Sequence, residues 1–134
     1  MSYADLNSPG TFRSNNSYTI KYGKTNPYYY KGKVAVLVNG ITISAAEVLT
    51  LAIKNAPDAI VIGEPTAGAL GRVTCQPLLG GASTRITGAG VYLNDGGCTY
   101  PDGIPLDFTV HQTPEDVKAG RDTQLEFAKR LLSK

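Results

Sequence analysis

Apolar residues along the chain fall into runs whose length and spacing predict alternating strands and helices. Residues 33–39 (KVAVLVN) are an unbroken, largely β-branched run, which predicts a strand buried on both faces, as in a parallel sheet. Residues 44–55 predict a helix, and residues 59–63 (AIVIG) predict a second short buried strand. Because the connections between them are short, the three elements predict a right-handed βαβ unit.

The predicted helix carries its polar side chains on one stripe. Glu47, Thr50 and Lys54 are spaced so that they share one face of a helix. Alanines and larger apolar residues cover the remainder. This pattern predicts a largely buried helix with the polar stripe as its exposed edge.

The chain on either side of this unit has a different pattern. Residues 1–32 are rich in Asn, Ser, Tyr, Gly and Lys without a sustained period, so we expect a loop or extended arm there and the folded part over 33–134. A loop of glycine and small residues is predicted over 64–71. The further predictions are strands over 72–79, 83–88, 89–93 and 104–110, a turn over 94–97, a helix opened by Thr113 and Pro114 and closed by Gly120, and a last helix over 122–133.

Composition narrows the class of protein. Hydrophobic residues make up 42% and charged residues 18% of the chain, which is apolar enough for a packed core. The net charge of +2 gives no strong attraction to nucleic acid or to an acidic membrane surface, so we expect no nucleic-acid partner. No apolar run approaches the roughly 20 residues that span a bilayer. No cluster of ligating residues indicates a metal or an organic cofactor.

The two cysteines leave two interpretations open. Cys75 and Cys98 lack the close spacing of a zinc or redox motif. They are either two separate thiols in the core or a disulfide between neighbouring strands, which requires an oxidising compartment.

Ser44 stands where the first buried strand turns into the predicted helix. A serine at such a corner projects its hydroxyl at the sheet edge, and the N–H of Ala45 at the helix N-terminus could face a developing oxyanion. However, Ser44 and Glu47 also have the spacing of a capping box, in which the serine only stabilises the helix. The local sequence does not separate these two roles.

Several motifs occur in the order and at the spacing of one peptidase family. They are Val38-Asn39, Ser44-Ala45-Ala46-Glu47, Gly63-Glu64-Pro65-Thr66-Ala67-Gly68, and Gly120-Arg121-Asp122 with Leu125 and Ala128. From about residue 30 onward, the chain resembles the C-terminal processing (tail-specific) serine peptidases. The resemblance implies that Ser44 is the nucleophile, that the Ala45 N–H is an oxyanion donor, and that Gly68 and Ala69 contact the substrate.

The resemblance also implies a fold and a setting. The fold is the α/β spiral of ββα units seen in ClpP and crotonase, of which this chain would be the C-terminal part of the catalytic domain. Substrates would be peptide or protein chains, with no cofactor and no metal. Export to the cell envelope or beyond is expected because many members are exported, and a homo-oligomer is left open.

The chain departs from the family pattern where the general base is expected. Ala69 stands where one branch has its catalytic lysine, so the chain is nearer the tricorn-like branch, which uses serine, histidine and an acid. The single histidine, His111, follows the nucleophile and matches no catalytic position, so we expect a surface or structural role. Asp102, just before Gly103, stands near the position of the branch's acid and is either a catalytic residue or an ordinary turn residue.

A serine hydroxyl needs a base within hydrogen-bond reach, and none is evident here. We therefore expect that an upstream part of the same polypeptide supplies the base, and that this chain alone is inactive. Two alternatives remain open. The chain is a non-catalytic ligand-binding domain, as in the family branch that binds retinoids and fatty acids, or it is a structural, oligomer-forming piece.

Overall fold

A three-stranded parallel sheet organises the middle of the chain. The computed structural model describes residues 2–5, 7–8, 11–14, 27–93 and 95–133. The parallel strands have the order β3-β4-β7, with β3 at Val34–Val38, β4 at Ala59–Gly63 and β7 at Phe108–Thr109. Helix α1, Ala45–Lys54, connects β3 to β4, which confirms the predicted βαβ unit.

A second, antiparallel sheet has the order β2-β1-β6-β5, with β1 at Ser2–Ala4, β2 at Phe12–Ser14, β5 at Gly71–Pro77 and β6 at Ser83–Gly90. Its main part is a hairpin of β5, Gly71–Pro77, and β6, Ser83–Gly90, joined by a short 3-10 turn at Leu79–Gly81. The prediction of separate strands over 83–88 and 89–93 was wrong, because β6 continues through a bulge at Gly88, which has no partner between the pairs Arg72–Ala89 and Val73–Thr87. A Cβ on Gly88 would collide with the Thr74 side chain, so the glycine serves close packing between strands.

The N-terminal segment contributes two short strands to this sheet. Strand β1, Ser2–Ala4, pairs with β2, Phe12–Ser14, and with β6. The sequence predicted a loop or extended arm over 1–32, and residues 15–26 lie outside the described part. Three-residue strands need no apolar period, since backbone hydrogen bonds alone define them. The division of the chain at residue 32 stays a prediction.

Strand β7 is shorter than the predicted strand over 104–110. Pro105 has no N–H to donate to a strand ladder. The Asp107 carboxylate accepts the Val61 N–H (2.7 Å), a group that a longer strand would engage through its backbone. The same carboxylate accepts from Lys54 Nζ at 2.6 Å and so ties the end of α1 to the sheet.

Two C-terminal helices follow, and the first has the predicted cap. Helix α2, Pro114–Lys118, begins after Thr113, whose hydroxyl accepts from the Asp116 N–H, and the chain leaves it through Gly120 at φ 66°. Helix α3, Thr123–Leu132, begins after Asp122, whose carboxylate accepts from Leu125 N–H at 2.9 Å. Helix α3 packs on β3 and β4. None of the described helices is long and apolar enough to cross a bilayer.

The core is small, and α1 faces it with its polar stripe. The buried apolar residues are Val38, Val61, Ile62, Leu70, Ala89, Ile104 and Ala128. The prediction that Glu47 and Thr50 form an exposed edge was wrong, because both are buried. The Thr50 hydroxyl donates to the Ala46 carbonyl at 2.8 Å, and the Glu47 carboxylate accepts hydrogen bonds from the loop after β4.

The opposite side of α1 is open to solvent. Val48 and Leu49 are 45% and 60% exposed. Strand β3, predicted to be buried on both faces, has only Val38 fully buried, and Leu37 is exposed. The physical reason is that β3 is an edge strand of the parallel sheet. The described chain therefore presents an apolar surface on this side.

Candidate active site

A tight turn leads from β3 to the first residue of interest. The Asn39 N–H donates to the Thr42 hydroxyl (3.1 Å), and the Thr42 N–H donates back to the Asn39 carbonyl (2.9 Å). The Asn39 side chain also accepts from the Ile41 N–H at 3.1 Å. These bonds fix the turn at the carboxyl end of the parallel strand, and Ser44 follows it.

Ser44 has a strained backbone. Its φ is 53° and its ψ is −109°, outside the regions that non-glycine residues normally occupy. Such a conformation costs about 1–3 kcal/mol and persists only where the surroundings impose it. Strain of this kind concentrates at functional sites. Ser44 is also exposed, as a residue that meets a substrate must be.

The hydroxyl of Ser44 takes part in a capping box at the start of α1. It lies toward the Glu47 N–H as in a capping box, but without the geometry of a hydrogen bond. The other half of the box is closed, because the Glu47 carboxylate accepts from the Ser44 N–H at 2.9 Å. Within the described ranges, the contact of Ser44 Oγ with the Glu47 N–H is therefore weaker than a regular hydrogen bond.

One backbone donor beside Ser44 is unpaired. The Ala46 N–H donates to the Ile43 carbonyl (3.1 Å), and the Val48 N–H donates to the Ser44 carbonyl (3.0 Å). Among the residues that the structure describes, none accepts from the Ala45 N–H. The first N–H groups of a helix have no intrahelical acceptor, so this donor is available to a bound oxygen.

Glu47 joins α1 to the loop that follows β4. Its carboxylate is completely buried and accepts from the Thr66 hydroxyl (2.7 Å), the Gly68 N–H (3.0 Å) and the Ala69 N–H (3.2 Å), besides Ser44. A carboxylate has about four acceptor sites, so its capacity is filled. Because the Gly68 and Ala69 N–H groups are engaged here, a substrate could meet only other atoms of these two residues.

The sequence interpretation missed this role of Glu47. It treated the residue as an exposed stripe member and as half of a helix cap. The signal that could have identified it is the small-residue loop over 66–69, whose N–H groups need a buried acceptor once the loop packs against α1. Such a loop supplies N–H donors, and an acidic residue one helix turn after a corner serine supplies the acceptor for them.

The loop in turn holds the segment that contains Asp102. The Thr66 hydroxyl accepts from the Ile104 N–H at 2.9 Å. A Cβ on Gly68, at φ 61°, would collide with the Pro101 carbonyl, so the two backbones are in direct contact. Asp102 is exposed on this turn, and it forms no hydrogen bond or ion pair with Ser44 in the described part of the chain. The structure thus brings the segment to the site without fixing a role for the carboxylate.

In the described part of the chain, His111 forms no hydrogen bond or ion pair with Ser44. Its side chain is 70% exposed, and its Nδ1 is 3.2 Å from Glu64 Oε1. The same Glu64 oxygen accepts from the Gln112 N–H at 3.3 Å. His111 lies at the surface, as predicted, and its pairing with Glu64 was not foreseen.

Both cysteines are free and exposed. The interpretation as core thiols was therefore wrong. A disulfide is not formed either, since Cys75 lies opposite Arg85 in the hairpin, and Cys98 lies opposite Tyr92 in an isolated antiparallel β-bridge. Among the described residues, no group of three or more His, Cys, Asp or Glu side chains is arranged to hold a metal ion.

A family model extends the sequence resemblance over most of the chain. Residues 6–110, which include Ser44, the 66–69 loop and the 99–104 turn, match the model of peptidase family S41. This chain belongs to peptidase family S41. The confirmed assignment is to this family of serine peptidases, and the tail-specific subgroup remains a prediction.

Solved structures similar to this S41 chain support the fold. The crystal structure of a candidate peptidase from Parabacteroides merdae has 33% identity and a TM-score of 0.68, over 75% of this chain and 31% of that protein. The tricorn protease has 21% identity and a TM-score of 0.63, over 87% of this chain and 12% of that protein. Mature CPAF complexed with lactacystin has 22% identity and a TM-score of 0.63, over 78% of this chain and 20% of that protein.

These likenesses confirm the predicted fold class. Tricorn and CPAF share the ClpP/crotonase-like α/β fold, and at their level of identity the likeness concerns the fold alone. The S41 chain spans less than a third of the length of each of these three proteins. It therefore corresponds to one part of such a protein.

Proposed function

We propose that this chain carries the nucleophile and one oxyanion donor of a serine peptidase. The observation that supports the proposal best is the corner at Ser44. A strained, exposed serine between a strand and a helix, next to an unpaired N–H, has the local geometry of a hydrolase nucleophile. Ser44 Oγ would attack the scissile carbonyl carbon, and the Ala45 N–H would donate to the oxygen that becomes negative.

The proposed reaction then proceeds by acyl transfer. A general base takes the Ser44 hydroxyl proton as Oγ attacks; the C–N bond of the tetrahedral intermediate then breaks, the amine leaves with that proton, and an ester to Ser44 remains. Water, deprotonated by the same group, hydrolyses that ester and restores the hydroxyl. This sequence requires a base beside Ser44, and the described residues offer none within hydrogen-bond reach.

An upstream part of the same polypeptide is proposed to supply the base. Ala69 cannot move a proton, which favours the tricorn-like branch over the Ser–Lys branch. The surface around Ser44 supports a further packed segment, because Ile41 is 86% exposed and Ile43, Val48 and Leu49 are also exposed. Apolar residues in this number beside a proposed catalytic group are typical of a surface that another part of the domain covers. Asp102 would then orient the incoming histidine.

The proposed substrates are peptide or protein chains, cleaved as by an endopeptidase or near a free C-terminus. Substrate contacts at Gly68 and Ala69 would use their carbonyl groups and the exposed Ala69 methyl, since their N–H groups donate to Glu47. A cell-envelope or secreted location and a homo-oligomer are part of the proposal by family resemblance only.

A fluorophosphonate probe tests the proposal. The full polypeptide in which this chain occurs should be labelled at Ser44, and Ser44→Ala should abolish labelling while Ser83→Ala, an exposed serine of the hairpin, should not. The isolated chain should show neither labelling nor peptide hydrolysis. Labelling that survives Ser44→Ala would refute the assignment of the nucleophile.

One observation favours a second candidate function. The exposed apolar residues beside Ser44 and the missing base suit a domain that binds an apolar ligand without catalysis. Binding of a fatty acid or retinoid by the full polypeptide, with no labelling of Ser44, would support this alternative over the peptidase.

A further inference from the structure

We propose that Glu47 and Thr66 form a positioning relay that holds the 99–104 turn in register with Ser44. The relay is the chain of hydrogen bonds from the Ser44 N–H through Glu47 and Thr66 to the Ile104 N–H. The inference rests on the proposed function, because register matters only if the turn and the serine act on one substrate. Neither residue would touch that substrate.

The Thr66 hydroxyl is the central link of the relay. It donates to Glu47 Oε1 at 2.7 Å and accepts from the Ile104 N–H at 2.9 Å. Thr66 is buried, so water does not replace either partner at low cost. Both bonds need a hydroxyl at this position. Serine can form them, and valine, which has nearly the same shape, can form neither.

Backbone contacts make the loop and the turn move together. A Cβ on Gly68 would collide with the Pro101 carbonyl and would lie 3.1 Å from the Gly103 nitrogen. A Cβ on Gly103, at φ 82°, would lie 2.5 Å from the Thr66 hydroxyl oxygen. Since the two glycines place backbone against backbone, a displaced Thr66 would displace the turn that carries Asp102.

The relay also acts on the strained serine. Glu47 Oε2 accepts from the Ser44 N–H and the Ala69 N–H, so one oxygen couples the corner to the loop. If the loop shifts, the bond that holds Ser44 at φ 53° weakens and the corner relaxes. A shift of about 1 Å in a reacting group can cost about 100-fold in rate, which affects turnover more than substrate affinity.

The test compares Thr66→Val with Thr66→Ser in the full polypeptide, with Thr84→Val as the matched control. Thr84 is an exposed threonine of β6, so its loss of a hydroxyl should change nothing. We expect Thr66→Val to lower kcat and the rate of Ser44 labelling by about 10- to 100-fold with KM within about threefold. Thr66→Ser should restore both rates. An equal loss in Thr66→Ser, no loss in Thr66→Val, or a loss only in KM would overturn the relay.

Amide hydrogen exchange separates this inference from the proposed function. In the native polypeptide the Ser44, Gly68, Ala69 and Ile104 amides should be protected, and Thr66→Val should accelerate exchange at Ile104 and at Gly68. If the wild type is never labelled, the proposed function is refuted. The amide hydrogen-exchange rates still test the relay in that case. If Thr66→Val does not fold, rapid exchange of the Ile104 and Gly68 amides in the wild type or in Thr66→Ser would overturn it.

Discussion

Replacement of Glu47 by glutamine should destabilise this chain far more than a surface substitution. The carboxylate accepts from four donors, two on each oxygen: Thr66 and Gly68 on Oε1, and Ser44 and Ala69 on Oε2. Glutamine is nearly isosteric but offers only one acceptor oxygen. Its NH₂ group would face two donors, whichever way the amide is turned.

The magnitude follows from those two orphaned donors. A buried donor left without an acceptor costs about 1–3 kcal/mol, so the pair amounts to about 2–6 kcal/mol. The neutral amide is easier to bury than a carboxylate, which offsets a part of this loss. We therefore expect the free energy of unfolding to fall by about 2–5 kcal/mol, a large share of the stability of a small domain.

Urea unfolding of the wild type and of two variants measures this effect. Glu126→Gln is the matched control, because Glu126 is exposed in the first turn of α3 and loses at most about 1 kcal/mol of helix-dipole interaction. If Glu47→Gln loses no more stability than Glu126→Gln, the four hydrogen bonds contribute little, and Glu47 does not hold the loop to α1.

Two further substitutions probe the loop and the C-terminal helices. Gly68→Ala should destabilise the chain more than Gly80→Ala in thermal unfolding. Both glycines have positive φ, but only at Gly68 would the added Cβ meet the Pro101 backbone, and Gly80 faces open space. Asp116 has its pKa lowered to about 2 by hydrogen bonds from Thr123 and Thr113 and by Arg121. The stabilising contribution of the Asp116 carboxylate is therefore present above its ordinary pKa of 3.8 and is lost as the pH falls toward 2. In Asp116→Asn, the urea midpoint should therefore depend less on pH over that range than in the wild type. Equal unfolding temperatures for the two glycine variants, or an unchanged acid slope in Asp116→Asn, would contradict these expectations.

The parts of the fold that local chemistry determines could be predicted from the sequence. The β-branched run at β3, the helix α1 and the strand β4 were foreseen because each is defined by residues close together in the chain. The cap at Thr113 was foreseen for the same reason, since a side-chain acceptor three residues before its N–H donor is a local pattern.

Long-range partners explain what could not be predicted. The spacing of Glu47 and Thr50 showed that they share a face of α1, but not that this face points inward. Polarity suggested the opposite, because the donors that make burial of Glu47 favourable lie about 20 residues further along the chain, at Thr66, Gly68 and Ala69. The exposure of Val48 and Leu49 has a similar origin: the described chain contains no segment that covers them.

The two roles considered for Ser44, helix cap and nucleophile, are compatible at this corner. In an ordinary capping box the serine hydroxyl accepts from the helix, and the acid three residues on completes the cap. Here Glu47 forms its half by accepting from the Ser44 N–H, while the Ser44 hydroxyl faces the Glu47 N–H without a regular hydrogen bond, and Ser44 is exposed. The acid thus stabilises both the helix start and the strained backbone, so that the weakly held hydroxyl is available for the proposed chemistry. Glu47→Gln and Ser44→Ala should consequently differ in kind. The first should lower stability and Ser44 labelling together, and the second should abolish labelling at nearly unchanged stability.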